Sequence, residues 1–194
     1  MIYDTKISGN TLKASELLLN GEIIIYPTDT LYGFGVDATN TLAIKKLNQV
    51  KNRETPYSVI VHSLDMLKKY AVLTSEVEEK ISPFLPGSIT VILNKLKSDL
   101  SLLVAPHLNT LGIRIPNHNF ILDVVEKINR PIITTSVNTH GEEALNDIND
   151  IISKYHHINI FKDNIVRESK GSTIIDFSKK PFKILREGDQ EVDL

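Results

Sequence analysis

Two short polar motifs stand where predicted regular elements end. Lys51 and Arg53 come at the end of a helical pattern, and Ser136 and Asn138 come at the end of an apolar strand. An ammonium and a guanidinium bind polyphosphate oxygens, and open α/β sheets bind ligands at the carboxyl ends of their strands. The same residue types also complement a helix dipole or form ordinary turns. Taken together, the two motifs favour a nucleotide site without a glycine-rich phosphate loop.

Arg114 is a cation inside a predicted strand. Its neighbours Ile113 and Ile115 face one side of that strand, so the pleat directs the guanidinium to the other side. A guanidinium in this position needs a carboxylate, a phosphate or water as its partner. Two readings stay open from the pattern. The partner is an internal carboxylate such as Asp29 or Asp176, or it is the carboxylate of a bound substrate.

Other catalytic chemistries lack support. His62 stands at the end of a predicted strand, where a single histidine is usually structural, and His156 and His157 are typical of a surface pair. The histidines do not have the spacing of zinc ligands. The chain contains no cysteine, which excludes disulfides, thiolate metal sites and cysteine nucleophiles. It also lacks the glycine motifs of α/β-hydrolases, P-loop ATPases and Rossmann dehydrogenases, so these classes are not favoured.

The composition is that of a single folded domain. The 194 residues are 41% hydrophobic, enough for a substantial core, and the formal net charge at pH 7 is −2. This charge gives no reason to expect nucleic-acid binding, and any basic surface must be local. We expect one domain over 8–188 and a short acidic tail over 189–194 that frays after Gly188. Neither a signal-peptide pattern nor a membrane-spanning apolar run is found, so we expect a cytoplasmic protein without membrane contact.

The hydrophobic pattern predicts alternating helices and strands, which is typical of an α/β fold. The last two strands are too close in sequence for a crossover helix between them, so the sheet is expected to be mixed. Helices are predicted over 12–19, after a cap at Thr39 or Asn40, after Ser63, after Thr74, and over 119–128 and 147–155. Strands are predicted over 22–26, 58–62, 89–93, 111–116, 131–136, 172–177 and 182–186.

Eight short motifs occur in a fixed order along the chain. They are YPTDTLYG (26–33), KNR (51–53), VIVH (59–62), LPGSIT (85–90), GIRIP (112–116), TSVN (135–138), STIID (172–176) and ILREG (184–188). In this order they resemble the YrdC-like domain of the threonylcarbamoyl-AMP synthase family, and the likeness runs from about Ser8 to Gly188. The resemblance implies a twisted, open, mixed α/β fold, with helices flanking the sheet and a large basic cavity on one side.

The resemblance also implies a reaction. Members of this family form L-threonylcarbamoyladenylate and pyrophosphate from L-threonine, bicarbonate and ATP, a nucleotidyltransferase step toward threonylcarbamoyladenosine in tRNA. Such a step needs cations and hydroxyls around the phosphates and no protein nucleophile, so Lys51 and Arg53 are expected to stabilise charge. Mg²⁺ is expected to bind with ATP, and no protein side chain is assigned as its ligand. A downstream threonylcarbamoyl-transferase complex is the implied protein partner.

The implied binding residues fall into two groups. The ATP-binding group is Lys51, Arg53, Thr110, Ser136, Asn138 and Arg186. The threonine-binding group is Thr30, His62, Arg114, Thr134 and Ser172. In this assignment Arg114 holds the amino-acid carboxylate, and His62 lines the threonine pocket instead of binding a metal.

Three features depart from the family pattern. Tyr57 and Ser58 stand where the family more often has Asn or Lys followed by Pro, which affects an expected nucleotide contact. Ala144 stands in place of a frequent serine and removes a hydroxyl. Longer members also carry an extra C-terminal domain, and we expect this protein to be the short form without it. We therefore expect any closing function of that domain to be absent here or supplied by a partner.

Two other functions stay open at this point. The same basic cavity could bind double-stranded RNA or tRNA by shape and phosphate contact, without catalysis. The chain could also be a paralogue with a different carbamoyl chemistry, for which Tyr57 and Ala144 are the only indications.

Overall fold

The computed structural model describes residues 1–54, 56–165 and 168–193. Their strands are β1 (Ile2–Asp4), β2 (Ile24–Tyr26), β3 (Gly33–Asp37), β4 (Ser58–Ile60), β5 (Ile89–Asn94), β6 (Thr110–Arg114), β7 (Ile132–Ser136), β8 (Asn159–Lys162), β9 (Thr173–Asp176) and β10 (Lys183–Arg186). They form one ten-stranded sheet in the order β1-β8-β2-β3-β7-β4-β6-β5-β9-β10. The sheet contains both parallel pairs, such as β4 with β6, and antiparallel pairs, such as β4 with β7. The predicted mixed α/β class is confirmed.

The helices are α1 (Gly9–Leu19), α2 (Thr41–Lys51), α3 (Leu64–Leu67), α4 (Ser75–Ile81), α5 (Asn119–Ile128) and α6 (Ile148–Tyr155). The Asn40 side chain caps α2, because its Oδ1 accepts hydrogen bonds from the backbone N–H groups of Leu42 and Ala43 at 3.0 and 3.1 Å. Asn52 ends this helix in a left-handed conformation with φ 49°. Helix α2 therefore places Lys51 in its last turn, as predicted. No helix in the described ranges has the length and apolarity needed to cross a membrane.

Three strands, β1, β3 and β8, were not predicted. Strand β3 lies inside the sheet between β2 and β7, but two of its five residues are glycine, which is depleted in strands. Gly35 is needed for packing, because a Cβ there would lie 2.6 Å from the Tyr26 ring. These glycines make room for the tyrosine ring. They also interrupt the alternation of apolar and polar residues from which a strand is predicted.

Both ends of the chain are tied to the sheet. Strand β1 pairs in parallel with β8, so the sheet extends ahead of the predicted domain boundary at residue 8. At the other end, the backbone N–H of Asp189 donates to the Gly171 carbonyl at 2.9 Å, and its carboxylate accepts from the Lys170 N–H at 2.7 Å. The predicted fraying directly after Gly188 is therefore wrong, because these bonds hold the first residue of the tail. Leu194 lies outside the described residues.

The central strands bring several hydroxyl side chains to one face. Ser58 on β4 pairs with both Gly112 on β6 and Thr134 on β7. Gly112 leaves room for this serine, since a Cβ at Gly112 would lie 2.5 Å from Ser58 Oγ. Ser136, two residues beyond Thr134, projects on the same side of β7. The sheet register, set between residues far apart in sequence, therefore builds a polar floor.

Candidate active site

A cavity of about 290 Å³ lies over this polar floor. Three arginines, Arg53, Arg114 and Arg186, reach it from three separate parts of the chain. Most of its other polar lining consists of hydroxyl groups, from residues that include Thr28, Thr30, Ser58, Thr90, Thr134, Ser136 and Ser172. Guanidinium and hydroxyl groups are donors for anionic oxygens, so the lining suits a ligand that carries carboxylate or phosphate groups.

One wall is a turn that follows β2 and is held by a buried hydroxyl. Thr28 is 2% exposed, and its Oγ1 donates to the Leu31 carbonyl at 2.7 Å. The same oxygen accepts from the Thr30 N–H at 3.1 Å and lies 3.1 Å from Thr30 Oγ1. These contacts fix the turn, and with it the directions in which Asp29 and Thr30 project.

Arg114 lies beside this turn and is 6% exposed. Its Nη2 donates to Asp29 Oδ1 at 2.5 Å and its Nη1 to Thr30 Oγ1 at 2.9 Å, whereas its Nε is buried without a hydrogen-bond partner. Burial lowers the pKa of Arg114, and the Asp29 carboxylate opposes that decrease. Of the internal carboxylates considered from sequence, Asp29 is thus the partner. Arg114 also lines the cavity, and each Nη carries a second N–H, so the guanidinium keeps donors for a ligand and the two readings of Arg114 are compatible.

Lys51 is buried beneath the cavity. It is 1% exposed, and its Nζ donates to the Ser136 carbonyl at 2.7 Å and to Asn138 Oδ1 at 2.5 Å. Burial lowers its pKa from 10.5 to about 8, and the charge of Arg53 adds to the decrease. Lys51 lies in the last turn of α2, as a cation that complements a helix dipole does, but it is not a solvated surface residue. The lysine instead connects α2 to the end of β7.

Arg53 is held by contacts of a different kind. Its Nη2 donates to the Pro56 carbonyl at 2.8 Å, and its guanidinium carbon lies 5.3 Å from the centre of the Tyr57 ring. Tyr57 is 4% exposed and donates its hydroxyl to Asn48 Oδ1 at 2.9 Å. The tyrosine that departs from the family pattern thus forms a support for Arg53.

The remaining hydroxyls are hydrogen-bonded to one another and to Arg186. Tyr26 donates its hydroxyl to Thr134 Oγ1 at 2.9 Å, and Ser172 Oγ lies 2.7 Å from Thr90 Oγ1. Arg186 donates through Nε and Nη2 to the Ser172 carbonyl, at 3.1 and 2.6 Å. The first bond connects β2 to β7, and the bonds of Ser172 connect β5 and β10 to the residue that precedes β9.

The structure brings most of the predicted binding residues together. Seven of the eleven line the cavity: Thr30, Arg53, Arg114, Thr134, Ser136, Ser172 and Arg186. Lys51 and Asn138 lie directly behind it, because both bind Ser136 or its carbonyl. That these residues bind a ligand stays a prediction.

The remaining two predicted binding residues, Thr110 and His62, also do not line the cavity. Thr110 begins β6, roughly 13 Å along the strand from Arg114 and on the same face. His62 lies in the turn between β4 and α3 and is partly exposed. Their roles stay predictions that the cavity geometry does not support directly.

Six hydroxyl-bearing residues of the lining were not assigned as binding residues from the sequence: Thr28, Tyr32, Tyr57, Ser58, Thr90 and Thr135. Thr90 lies on β5 between Ile89 and Val91, so a hydroxyl facing away from two buried apolar residues was the available signal. Ser58 was considered only as a departure from the family pattern, although it lies at the centre of the polar floor. Ala144, the other departure, does not line the cavity.

A family model described as "Telomere recombination", for the Sua5, YciO and YrdC proteins, matches residues 16–188. The chain belongs to this family. A Methanocaldococcus jannaschii member is 36% identical over 180 residues, covering 88% of this chain and 82% of its own length, and is named provisionally as a threonylcarbamoyl-AMP synthase. The Bacillus subtilis threonylcarbamoyl-AMP synthase is 35% identical over 136 residues, which cover 68% of this chain and 39% of that protein.

Solved structures of the family share the fold. The structure of Pyrococcus abyssi Sua5 complexed with L-threonine has a TM-score of 0.88 at 26% identity, covering 97% of this chain and 57% of that one. Escherichia coli YciO has a TM-score of 0.87 at 20% identity, covering 98% of this chain and 97% of that one, and this likeness concerns the fold alone. The chain thus spans little more than half of the Sua5 protein, but nearly all of YciO.

Proposed function

We propose that this protein is a threonylcarbamoyl-AMP synthase, which forms L-threonylcarbamoyladenylate, pyrophosphate and water from L-threonine, bicarbonate and ATP. The observation that carries the proposal is the convergence of Arg114 and Arg53 on one cavity, with Lys51 directly behind it. The first arginine suits a carboxylate and the second suits phosphates. The names of the B. subtilis and P. abyssi relatives support the same activity.

The reaction would use positioning and charge in place of a covalent intermediate. The amine of threonine combines with bicarbonate to give a carbamate with loss of water, and a carbamate oxygen attacks the α-phosphorus of ATP. The bond from that phosphorus to the bridging oxygen breaks, and pyrophosphate leaves with the electron pair. Each partner is an anion, so cations and hydroxyl donors must hold them together against their repulsion.

The two ends of the cavity divide this task. We name the Arg114 end by Arg114, Thr30 and the adjoining Asp29, and propose that it holds the α-carboxylate of threonine. We name the Lys51 end by Lys51, Arg53, Ser136 and Asn138, and propose that it holds the phosphates. Arg53 would contact phosphate directly because it lines the cavity, whereas Lys51 would hold the Ser136–Asn138 segment in place from behind.

Mg²⁺ is proposed to arrive on the phosphates of ATP. Across the described residues, no group of three or more His, Asp or Glu side chains is arranged to hold a metal ion. The oxygen-rich lining fits a cation that keeps its phosphate and water ligands. Once bound, Mg²⁺ would neutralise phosphate charge as pyrophosphate departs.

A pyrophosphate-release assay tests the proposal. Release is expected only when ATP, Mg²⁺, bicarbonate and L-threonine are all present, with carbon dioxide removed from the buffer for the bicarbonate control. The product should incorporate labelled bicarbonate and labelled threonine in equal amounts. Release that does not depend on threonine would contradict the proposal, and the same release with another amino acid would indicate a different carbamoyl chemistry.

The partners follow from the product. A mixed anhydride of a carbamate and a phosphate is reactive, so we propose transfer to a downstream threonylcarbamoyl-transferase complex that modifies tRNA, in the cytoplasm. The alternative of a double-stranded RNA or tRNA-binding module is not favoured, because a cavity of about 290 Å³ has the dimensions of a small-molecule site. Direct contact with RNA stays a prediction.

A further inference from the structure

The Arg114 end contains a carboxylate that does not line the cavity. Asp29 binds Arg114, and its second oxygen accepts a hydrogen bond from Ser88 Oγ at 3.3 Å. The Asp29 side chain is 11% exposed. Asp29 therefore contacts the arginine from outside the ligand space, and its contact with the site is made through Arg114.

The geometry fixes Asp29 more firmly than an ordinary ion pair would. Asp29 lies in the turn that the Thr28 hydroxyl closes, and Thr30 from the same turn binds a second nitrogen of Arg114. Two consecutive residues thus determine the rotation of one guanidinium. Strand β6 sets the direction in which the Arg114 side chain leaves the backbone. The pleat directs it away from the buried Ile113 and toward the turn.

Arg114 needs this partner because little water reaches it. A guanidinium that is 6% exposed would be an uncompensated buried charge without a carboxylate beside it. With Asp29 on Nη2 and Thr30 on Nη1, Nε is left buried without a partner. Nη1 and Nη2 each keep a second N–H, and Arg114 lines the cavity, so these are the donors that remain for a ligand.

We infer that Asp29 is a positioning residue, which holds Arg114 in the rotation that receives the carboxylate of the ligand through its remaining donors. The identity of that ligand as L-threonine rests on the proposed function. Asp29 itself would touch neither threonine nor ATP. Groups that orient a binding residue in this way commonly change affinity by about tenfold or more when removed.

The chain offers a matched control. Asp37 also pairs with an arginine, accepting from Arg130 Nη1 at 2.8 Å, and it is 1% exposed. It lies at the end of β3 and does not line the cavity. The variants Asp29→Asn and Asp37→Asn therefore make the same chemical change in two aspartates that each pair with an arginine, and only the first is next to the proposed site.

Calorimetry with L-threonine and with ATP gives the first readout. Asp29→Asn should raise the Kd of threonine about tenfold and leave the Kd of ATP within about twofold, whereas Asp37→Asn should move neither. When Arg114→Lys is already present, adding Asp29→Asn should not change the Kd of threonine further, because the guanidinium through which Asp29 acts is no longer there. If Asp29→Asn instead bound threonine more tightly, the inference would be overturned, because Asp29 would then compete with the threonine carboxylate for Arg114. An equal loss of affinity for threonine and for ATP in Asp29→Asn would overturn the inference as well.

Nitrogen-15 NMR of the arginine side chains gives a second readout that needs no ligand. The Arg114 Nη signals, assigned by their loss in Arg114→Lys, should show hindered rotation in the wild-type protein. They should average to one exchanging signal in Asp29→Asn, and unchanged signals would overturn the inference. If the wild-type protein bound no threonine, the proposed function would fail, while this readout would still decide whether Asp29 positions Arg114.

Discussion

The Arg114 end and the Lys51 end each contain a buried cation, but they compensate its charge differently. Arg114 is 6% exposed and is paired with Asp29, whereas Lys51 is 1% exposed and donates only to neutral oxygens of Ser136 and Asn138. Within the described ranges, neither Lys51 nor Arg53 has a carboxylate at ion-pair distance. The Arg114 end is therefore close to neutral, and the Lys51 end retains positive charge.

This difference matches the two ligands that we propose. Threonine is a zwitterion, so a site that is already neutral and rigid binds it through fixed hydrogen bonds and needs little net charge. ATP is a polyanion, and its binding requires cations whose charge is not already neutralised. The unfavourable burial of Lys51 without a counter-ion is the cost of keeping that charge available.

The largest expected effect comes from removing Arg114. In Arg114→Ala, Asp29 becomes a buried carboxylate without its partner, so we expect the free energy of unfolding to fall by about 3–5 kcal/mol, together with a loss of threonine use. Urea denaturation measures the first effect, and the KM for threonine measures the second. Adding Asp29→Asn should restore part of the stability, because the unpaired charge is then gone. Failure to recover would mean that the two residues are not energetically coupled.

Removing Arg53 should affect function more than stability. Arg53→Ala should lower kcat/KM for ATP. The decrease should correspond to a loss of transition-state stabilisation of about 1.5–3 kcal/mol, the range for hydrogen bonds to charged groups. The KM for threonine should stay nearly constant, and the thermal midpoint should change little, since Arg53 makes one hydrogen bond and one ring contact. Equal effects on both substrates would remove the distinction between the two ends.

The uncompensated charge of Lys51 should make stability depend on pH. Its pKa in the fold is about 8, below the ordinary 10.5, so the unfolded chain holds more protons between these values. The stability of the wild-type protein should therefore rise with pH from 8 to 10.5, relative to Lys51→Met, by up to ~1.4 kcal/mol per pH unit. Denaturation of both proteins across this range measures the difference. A constant difference would show that Lys51 does not lose its proton in the fold.

The smallest expected effect concerns the support of Arg53. Tyr57→Leu removes the ring beneath the guanidinium and should weaken ATP binding by about 0.5–1 kcal/mol, the usual value of an exposed cation–π contact. Tyr57→Phe keeps the ring, loses only the bond to Asn48, and serves as the matched control. Titration calorimetry with ATP compares the two variants. A weaker effect in Tyr57→Leu than in Tyr57→Phe would contradict the role of the ring.

Local features of the chain were predictable because their causes lie within a few residues. A cap at Thr39 or Asn40 and the apolar periodicity predicted α2, and α5 was predicted with the bounds that the structure has. Strand β3 was missed because its glycines serve a distant ring, that of Tyr26. Thr90 was missed for a similar reason, because the residue that it contacts in the site, Ser172, is 82 positions away.

By itself, the sequence determined which chemistry was available: two cations at a helix end, an arginine on one face of a strand, hydroxyls at strand ends and no cysteine. The tertiary structure alone decided which cation received a counter-ion. Asp29 and Arg114 are 85 positions apart, as are Lys51 and Ser136, and both contacts depend on the order of strands in the sheet. Burial and ion pairing are properties of such long-range contacts, so no local pattern could assign them.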